Sequence, residues 1–151
     1  MKDNNPASDD FYFDIGDSFT FSKTVGETDV YLFAGITGDF APNHVNEQAM
    51  QQSSYGRRIA HGALLVGYMS TASSIAAEGS RKSATETPVS LGYDRIRFVG
   101  PVFLGDTITV HYTIAAVDSQ RRRSVADIEI KNQDDDLVAV AQHILKWVGN
   151  P

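Results

Sequence analysis

Asp39 and His44 stand five residues apart on a segment that also carries Gly35, Gly38 and Pro42. Glycine and proline at that density favour a loop over a continuous helix. A loop can fold both side chains toward one point, whereas a helix would splay residues at that spacing. A carboxylate and an imidazole that share one water are suited to moving protons near neutral pH. Further on, His61-Gly62 opens a run of small and apolar residues, 63–77, that reads as a buried helix. Gly62 would then hold an unpaired backbone N–H at the helix N-terminus, where partial positive charge favours an oxyanion. Residue type and spacing thus predict an acid–base dyad, Asp39 and His44, beside an oxyanion donor, Gly62.

These residues also carry a family likeness. Gly38-Asp39-x-x-Pro42-x-His44, followed seventeen residues later by His61-Gly62-x-Leu64, resembles the signature of MaoC-like (R)-specific enoyl-CoA hydratases and dehydratases. The likeness runs from Gly26 to about Val110 and includes Phe98-Val99-Gly100-Pro101-Val102-Phe103-Leu104-Gly105-Asp106-Thr107, similar to the family's second motif. The resemblance implies an α+β hot-dog fold, in which a strongly bent antiparallel sheet wraps a long central helix. It implies Asp39 and His44 as the catalytic pair, Gly62 as oxyanion donor and an acyl-CoA substrate. It further implies a homodimer or higher multiple and a place in fatty acid metabolism. The expected reaction is reversible syn-addition of water to a 2-enoyl-CoA, giving a 3-hydroxyacyl-CoA. The thioester supplies its own activation, so no cofactor is expected. An acyl-CoA thioesterase and an acyl-CoA-binding accessory subunit are the alternatives. Where the family usually carries Asn, this chain has Ala41; where Leu or Ile is common, it has Asn43. Both positions are assigned to the substrate side of the site.

A chain of 151 residues suits one domain, expected over 11–151 behind a flexible acidic tail at 1–10. Nineteen acidic residues against thirteen basic ones give a net charge of −6, which opposes nucleic-acid backbones as partners. The lack of cysteine excludes disulfides, thiolate metal sites and a cysteine nucleophile. The tail has no hydrophobic signal core, and the run 63–77 is broken by Gly67, Tyr68 and several hydroxyl residues. No membrane partner is expected, and the cytoplasm is the expected location.

The other polar residues divide between surface and site. Arg57 and Arg58, just before the helix, read either as solvated charges or as cations for the nucleotide phosphates of coenzyme A, and Arg97 likewise. His61 reads as a positioning or capping residue at the substrate side. His111 falls on a polar strand face, and His143 on the apolar side of the last strand, as core or interface. No two of His61, His111 and His143 have metal-ligand spacing, and no metal is expected. The arginine run 121–123 reads as a solvated cluster at a hairpin turn.

Periodicity supplies the frame. Residues 17–23 alternate as a short strand, and 27–34 read as a helix ended by Gly35 and Gly38. Residues 43–52 suggest a short helix. The buried helix spans 62–78, about 25 Å long, with Ala63, Gly67, Ser70, Ser74 and Ala77 letting the sheet approach and Gly79 at its C′ position. Val89, Leu91 and Tyr93 alternate, then Ile96 and Phe98 follow in the opposite phase, which predicts a β-bulge near Asp94-Arg95. Strands follow at 108–116, 126–130 and 137–148. The last, apolar on nearly both faces, is expected at the centre of the sheet.

Overall fold

The computed structural model describes residues 11–80 and 85–151, so the expected tail at 1–10 lies outside the described residues. In chain order the elements are β1 (Ser18–Thr24), α1 (Glu27–Thr37), α2 (Pro42–Val45), α3 (Glu47–Gln51), α4 (Gly62–Gly79), β2 (Glu86–Phe98), β3 (Thr107–Asp118), β4 (Arg123–Lys131) and β5 (Leu137–Gly149). The strands form one antiparallel sheet in the order β1-β3-β4-β5-β2, with α4 against its inner face. This is the hot-dog arrangement expected. No helix among the described residues is long and apolar enough to cross a membrane.

The alternation of β3 and β4 decides the inner face. Ile108, Val110, Tyr112 and Ile114 are fully buried, as are Ala126, Ile128 and Ile130. On α4 the buried side is Leu65, Tyr68, Met69, Ala72, Ser73 and Ala76. The small residues expected to face the sheet lie elsewhere: Ala63, Gly67, Ser70 and Ser74 are exposed and Ala77 is half-buried. The larger side chains recur at helical spacing too, and burying them removes more apolar surface from water.

Other expectations are refined by local chemistry. Gly35 lies inside α1; Gly38 alone ends it, with φ of 83° and its N–H bonded to the Ala34 carbonyl. The helix expected at 43–52 is two helices, because Asn46 leaves helical geometry and its side chain accepts from Ala49 N–H to cap α3. Gly79 is the last residue of α4, and Ser80 caps it. β5 is interior, paired with β4 and β2, but β4 is the middle strand. His111 is on the outer face and half-buried. Arg122 is not a solvated turn residue. It pairs with Glu86 and lies over the rings of Phe11 and Tyr12, which pack with Phe13 around Trp147.

β2 carries the expected shift of register between Asp94 and Arg97, with Arg95 at φ of 54°. A second shift lies between Ser90 and Gly92, where Gly92 adopts φ of 137°. Leu91 is thus the extra residue, and its insertion reverses the alternation expected for Val89, Leu91 and Tyr93. Ser90 pairs with buried Leu145 and Tyr93 with buried His143, whereas Val89 pairs with Lys146 and is 36% exposed. Bulges bend a strand as well as re-aim its side chains.

Candidate active site

The loop between α1 and α2 starts at the left-handed Gly38 and is fixed by short local bonds. Asp39 N–H donates to Thr37 Oγ1 (3.3 Å), and Ala41 N–H donates to Asp39 Oδ1 (3.3 Å). Pro42 then opens α2, whose single turn carries His44 into the interior. His44 is 7% exposed, while the Asp39 side chain is about half exposed.

The hydrogen bonds of His44 define its tautomer. Nδ1 lies 2.8 Å from the Ile59 carbonyl, which can only accept, so Nδ1 carries the proton. Nε2 of the neutral ring therefore offers a lone pair. It lies 4.0 Å from Asp39 Oδ2 and 3.3 Å from Asn43 Nδ2, whose N–H can donate to it. One water can hydrogen-bond to both dyad atoms across a gap of that size.

Of the places expected for His61, positioning, capping and the substrate side, the structure favours the first. It is 1% exposed and lines no part of the pocket beside the dyad. Its ring stacks on His44 with centroids 3.7 Å apart, and Nε2–H donates to the Asp39 backbone carbonyl (2.9 Å). The stack and this bond tie the His44 ring to the loop that carries Asp39. At the N-cap of α4 its side chain makes no capping bond. Asp39, His44 and His61 each place a possible ligand atom within 4.8 Å of the others. The two histidine rings are stacked 3.7 Å apart with planes only 26° from parallel, so one ion cannot readily lie in both planes at bonding distance, which disfavours joint ligation of a metal.

A pocket of about 430 Å³ opens beside the dyad, with Asn43, His44 and Gly62 in its wall. Phe98, Val99, Gly100, Pro101 and Val102 form the opposite side, which gives the second sequence motif its place. A pairing of Ala60 N–H with the Val102 carbonyl (2.7 Å) ties that segment to the start of α4. The N–H groups of Gly62 and Ala63 have no partner among the described residues, as the geometry of a helix start dictates. Gly62 also has a packing reason to be glycine. A Cβ there would lie 2.6 Å from the Phe98 ring.

The remaining expected site residues sort by geometry. Asn43 is in the pocket wall, whereas Ala41 is not, acting instead through its backbone N–H on Asp39. Arg58 is withdrawn from any phosphate. Its guanidinium is bonded to Glu27, Glu47 and Tyr31, and the bonds to Glu27 and Glu47 raise its pKa further. Arg57 is exposed and lies 4.0 Å over the Phe103 ring, next in the chain to the pocket. Arg97 is exposed, spending one donor on the Ile96 carbonyl. The stack of His44 on His61 and the Phe98 cover on Gly62 were not read from the sequence. Both are contacts between residues far apart in the chain.

The model of the MaoC like domain matches residues 11–136. An (R)-specific enoyl-CoA hydratase of Rhodospirillum rubrum is 35% identical over 71% of this chain and 69% of its own length. Protein MaoC of Klebsiella aerogenes is 34% identical over 72% of this chain, which spans 31% of that protein. Among solved structures, the (R)-hydratase from A. caviae involved in PHA biosynthesis superposes with a TM-score of 0.79 at 24% identity, over 89% of this chain and 96% of that one.

Proposed function

The chain belongs to the MaoC-like domain family, and we propose that it is a hydro-lyase adding water across the 2,3-double bond of an enoyl-CoA. One observation carries this reading: a lone-pair-bearing His44 Nε2 lies 4.0 Å from the Asp39 carboxylate, and His44 shares a pocket wall with Gly62 at the start of α4. The thioester carbonyl, seated on that N–H at the positive end of α4, accepts charge as the β-carbon is attacked. A donor so placed contributes on the order of 3 kcal/mol to the transition state. Water held between Asp39 and His44 gives one proton to the dyad as its oxygen bonds to the β-carbon. The dyad returns one proton to the α-carbon, so it ends as it began. Delivery from one face makes the addition syn, and the likeness to (R)-specific hydratases supports the (R)-3-hydroxyacyl-CoA as product; the same groups dehydrate that product in reverse.

Arg57 and Arg97 are the exposed cations for the coenzyme A phosphates. A second copy of the chain belongs to this reading. β2 is an edge strand of thirteen residues whose outer side is unpaired among the described residues, and Leu91 and Phe98 on it, with Val99 just after it, are about half exposed. Sedimentation as a dimer or a multiple of one is expected; a monomer at micromolar concentration contradicts it. A cytoplasmic enzyme without a cofactor, acting in fatty acid metabolism, completes the proposal.

The test is loss of the enoyl chromophore of crotonyl-CoA, with thiol release followed in parallel. Chromophore loss without free thiol, and oxidation of the product by an (R)-specific dehydrogenase, are expected. Thiol release at the same rate would make the protein a thioesterase.

A further inference from the structure

A second pocket, of about 370 Å³, lies toward the other end of α4. Its wall includes Ser70, Ser73, Ser74 and Glu78 from the helix, Ser90 from β2 and Leu145 from β5. Four hydroxyls in one cavity call for a polar occupant, and their hydrogen bonds say which kind.

Ser90 is held from behind. Its Oγ lies 2.8 Å from Nε2 of His143, and Nδ1 of that ring lies 2.7 Å from the Tyr112 hydroxyl. His143 and Tyr112 are both fully buried. The Tyr112 O–H has no other acceptor among the described residues, so it donates to Nδ1. Nε2 then carries the ring proton and donates to Ser90 Oγ, which leaves the Ser90 O–H as a donor for the pocket. Ser73 and Ser74 both donate to the Ser70 backbone carbonyl (2.8 and 3.2 Å), which leaves their oxygens as acceptors. Tyr93 stacks on His143, and its hydroxyl, buried beside Ser70 and Ser73, has no partner at good hydrogen-bond geometry among the described residues.

This chain of bonds does not make Ser90 a nucleophile. Burial pushes His143 down to about 4, so it is a poor base, and taking a proton from Ser90 would place an imidazolium in the core. What remains is a fixed donor facing fixed acceptors. A carboxylate is disfavoured, because the one charged group in the wall among the described residues is Glu78. A hydroxyl can accept from Ser90 and donate to Ser73 or Ser74 at once; a carbonyl can do only the first.

Both pockets lie along one seam. α4 and β2 run in opposite senses, with Phe98 over Gly62 at one end and Ser90 beside the Ser70–Glu78 stretch at the other. Eight residues of helix, about 12 Å, separate Gly62 from Ser70. Resting on the hydratase reading of the first pocket, we infer that the second receives the far end of the acyl chain and selects a chain that bears a hydroxyl there.

The experiment measures kcat/KM on crotonyl-CoA, on straight 2-enoyl-CoAs of increasing length, and on their ω-hydroxy analogues. Crotonyl-CoA hydration tests the underlying reading by itself; its absence overturns that reading and the inference with it. With hydration present, the ω-hydroxy substrate is expected to exceed its plain analogue about tenfold at one length, mainly through KM. Ser90→Ala should remove that excess while melting somewhat lower, because it leaves the buried His143 N–H without its acceptor. Ser90→Thr should retain both the excess and the melting point. Hydration of crotonyl-CoA should stay near wild type in each. Hydration of crotonyl-CoA with no hydroxyl preference at any length, or a preference untouched by Ser90→Ala, overturns the inference.

Discussion

His44 and His143 are both buried histidines, 7% and 0% exposed, and they sit at opposite ends of the α4–β2 seam. His44 spends one nitrogen on a backbone carbonyl and presents the other to a carboxylate that is itself half exposed. His143 has both nitrogens closed by hydroxyls, and burial holds its pKa at about 4. Burial alone therefore does not mark an acid–base residue. The role proposed for His44 needs a nitrogen that faces a carboxylate and a pocket, whereas an imidazole closed by two hydroxyls orients its neighbours.

The sharpest way to break this contrast is to remove the dyad. His44→Ala and Asp39→Asn should each lower kcat/KM on crotonyl-CoA by on the order of a thousandfold, within the usual range for general acid–base catalysis. Circular-dichroism melts of Asp39→Asn should stay near the wild type, because that side chain is half exposed. Turnover within tenfold of wild type in either variant would reassign the dyad.

A smaller loss separates the two reasons for glycine at 62. Gly62→Ala keeps the backbone N–H but drives a methyl into Phe98, and activity should fall about thirtyfold. Replacing Phe98 by Ala in the same protein should recover most of that loss. Without recovery, the methyl would be acting on substrate rather than on Phe98.

For His143 the contrast is read in stability. The folded-state value near 4 lies below the ordinary 6.5, so the unfolded chain binds the proton first as pH falls. Stability should be constant above pH 6.5 and decline as pH drops through the window from 6.5 to about 4, by on the order of 3 kcal/mol. Denaturant titrations of wild type and His143→Gln check this; an equal pH slope in the two proteins would move the titration elsewhere.

Ala41→Asn should have the smallest effect, within about threefold. Ala41 works through its backbone, and Asn43 already brings an amide to 3.3 Å from His44 Nε2. Asn46, the next amide along the chain, is occupied in capping α3. Asn43→Ala should cost more than Ala41→Asn, about tenfold on kcat/KM.

Much of this was legible in the residues. The Asp39 loop, the helix start at Gly62 and the strand alternations follow from glycine placement and period, and those signals are local. What escaped was set by distant partners. The buried face of α4 was chosen by the sheet, not by the small-residue stripe that looked inviting. Leu91 looks like one more alternating strand residue, yet its insertion turns Ser90 and Tyr93 inward, and no phase change at that point announced it. Arg58 read as a free cation because Glu27 and Glu47 are thirty-one and eleven residues away.

The most direct test of the Asp39–His44 pair is the double-mutant cycle on crotonyl-CoA hydration. If the two hold one water as a unit, Asp39→Asn combined with His44→Ala should be scarcely slower than the worse single variant. Losses that multiply, giving a double variant slower by the product of the two, would mean that the residues act independently and that no shared water joins them.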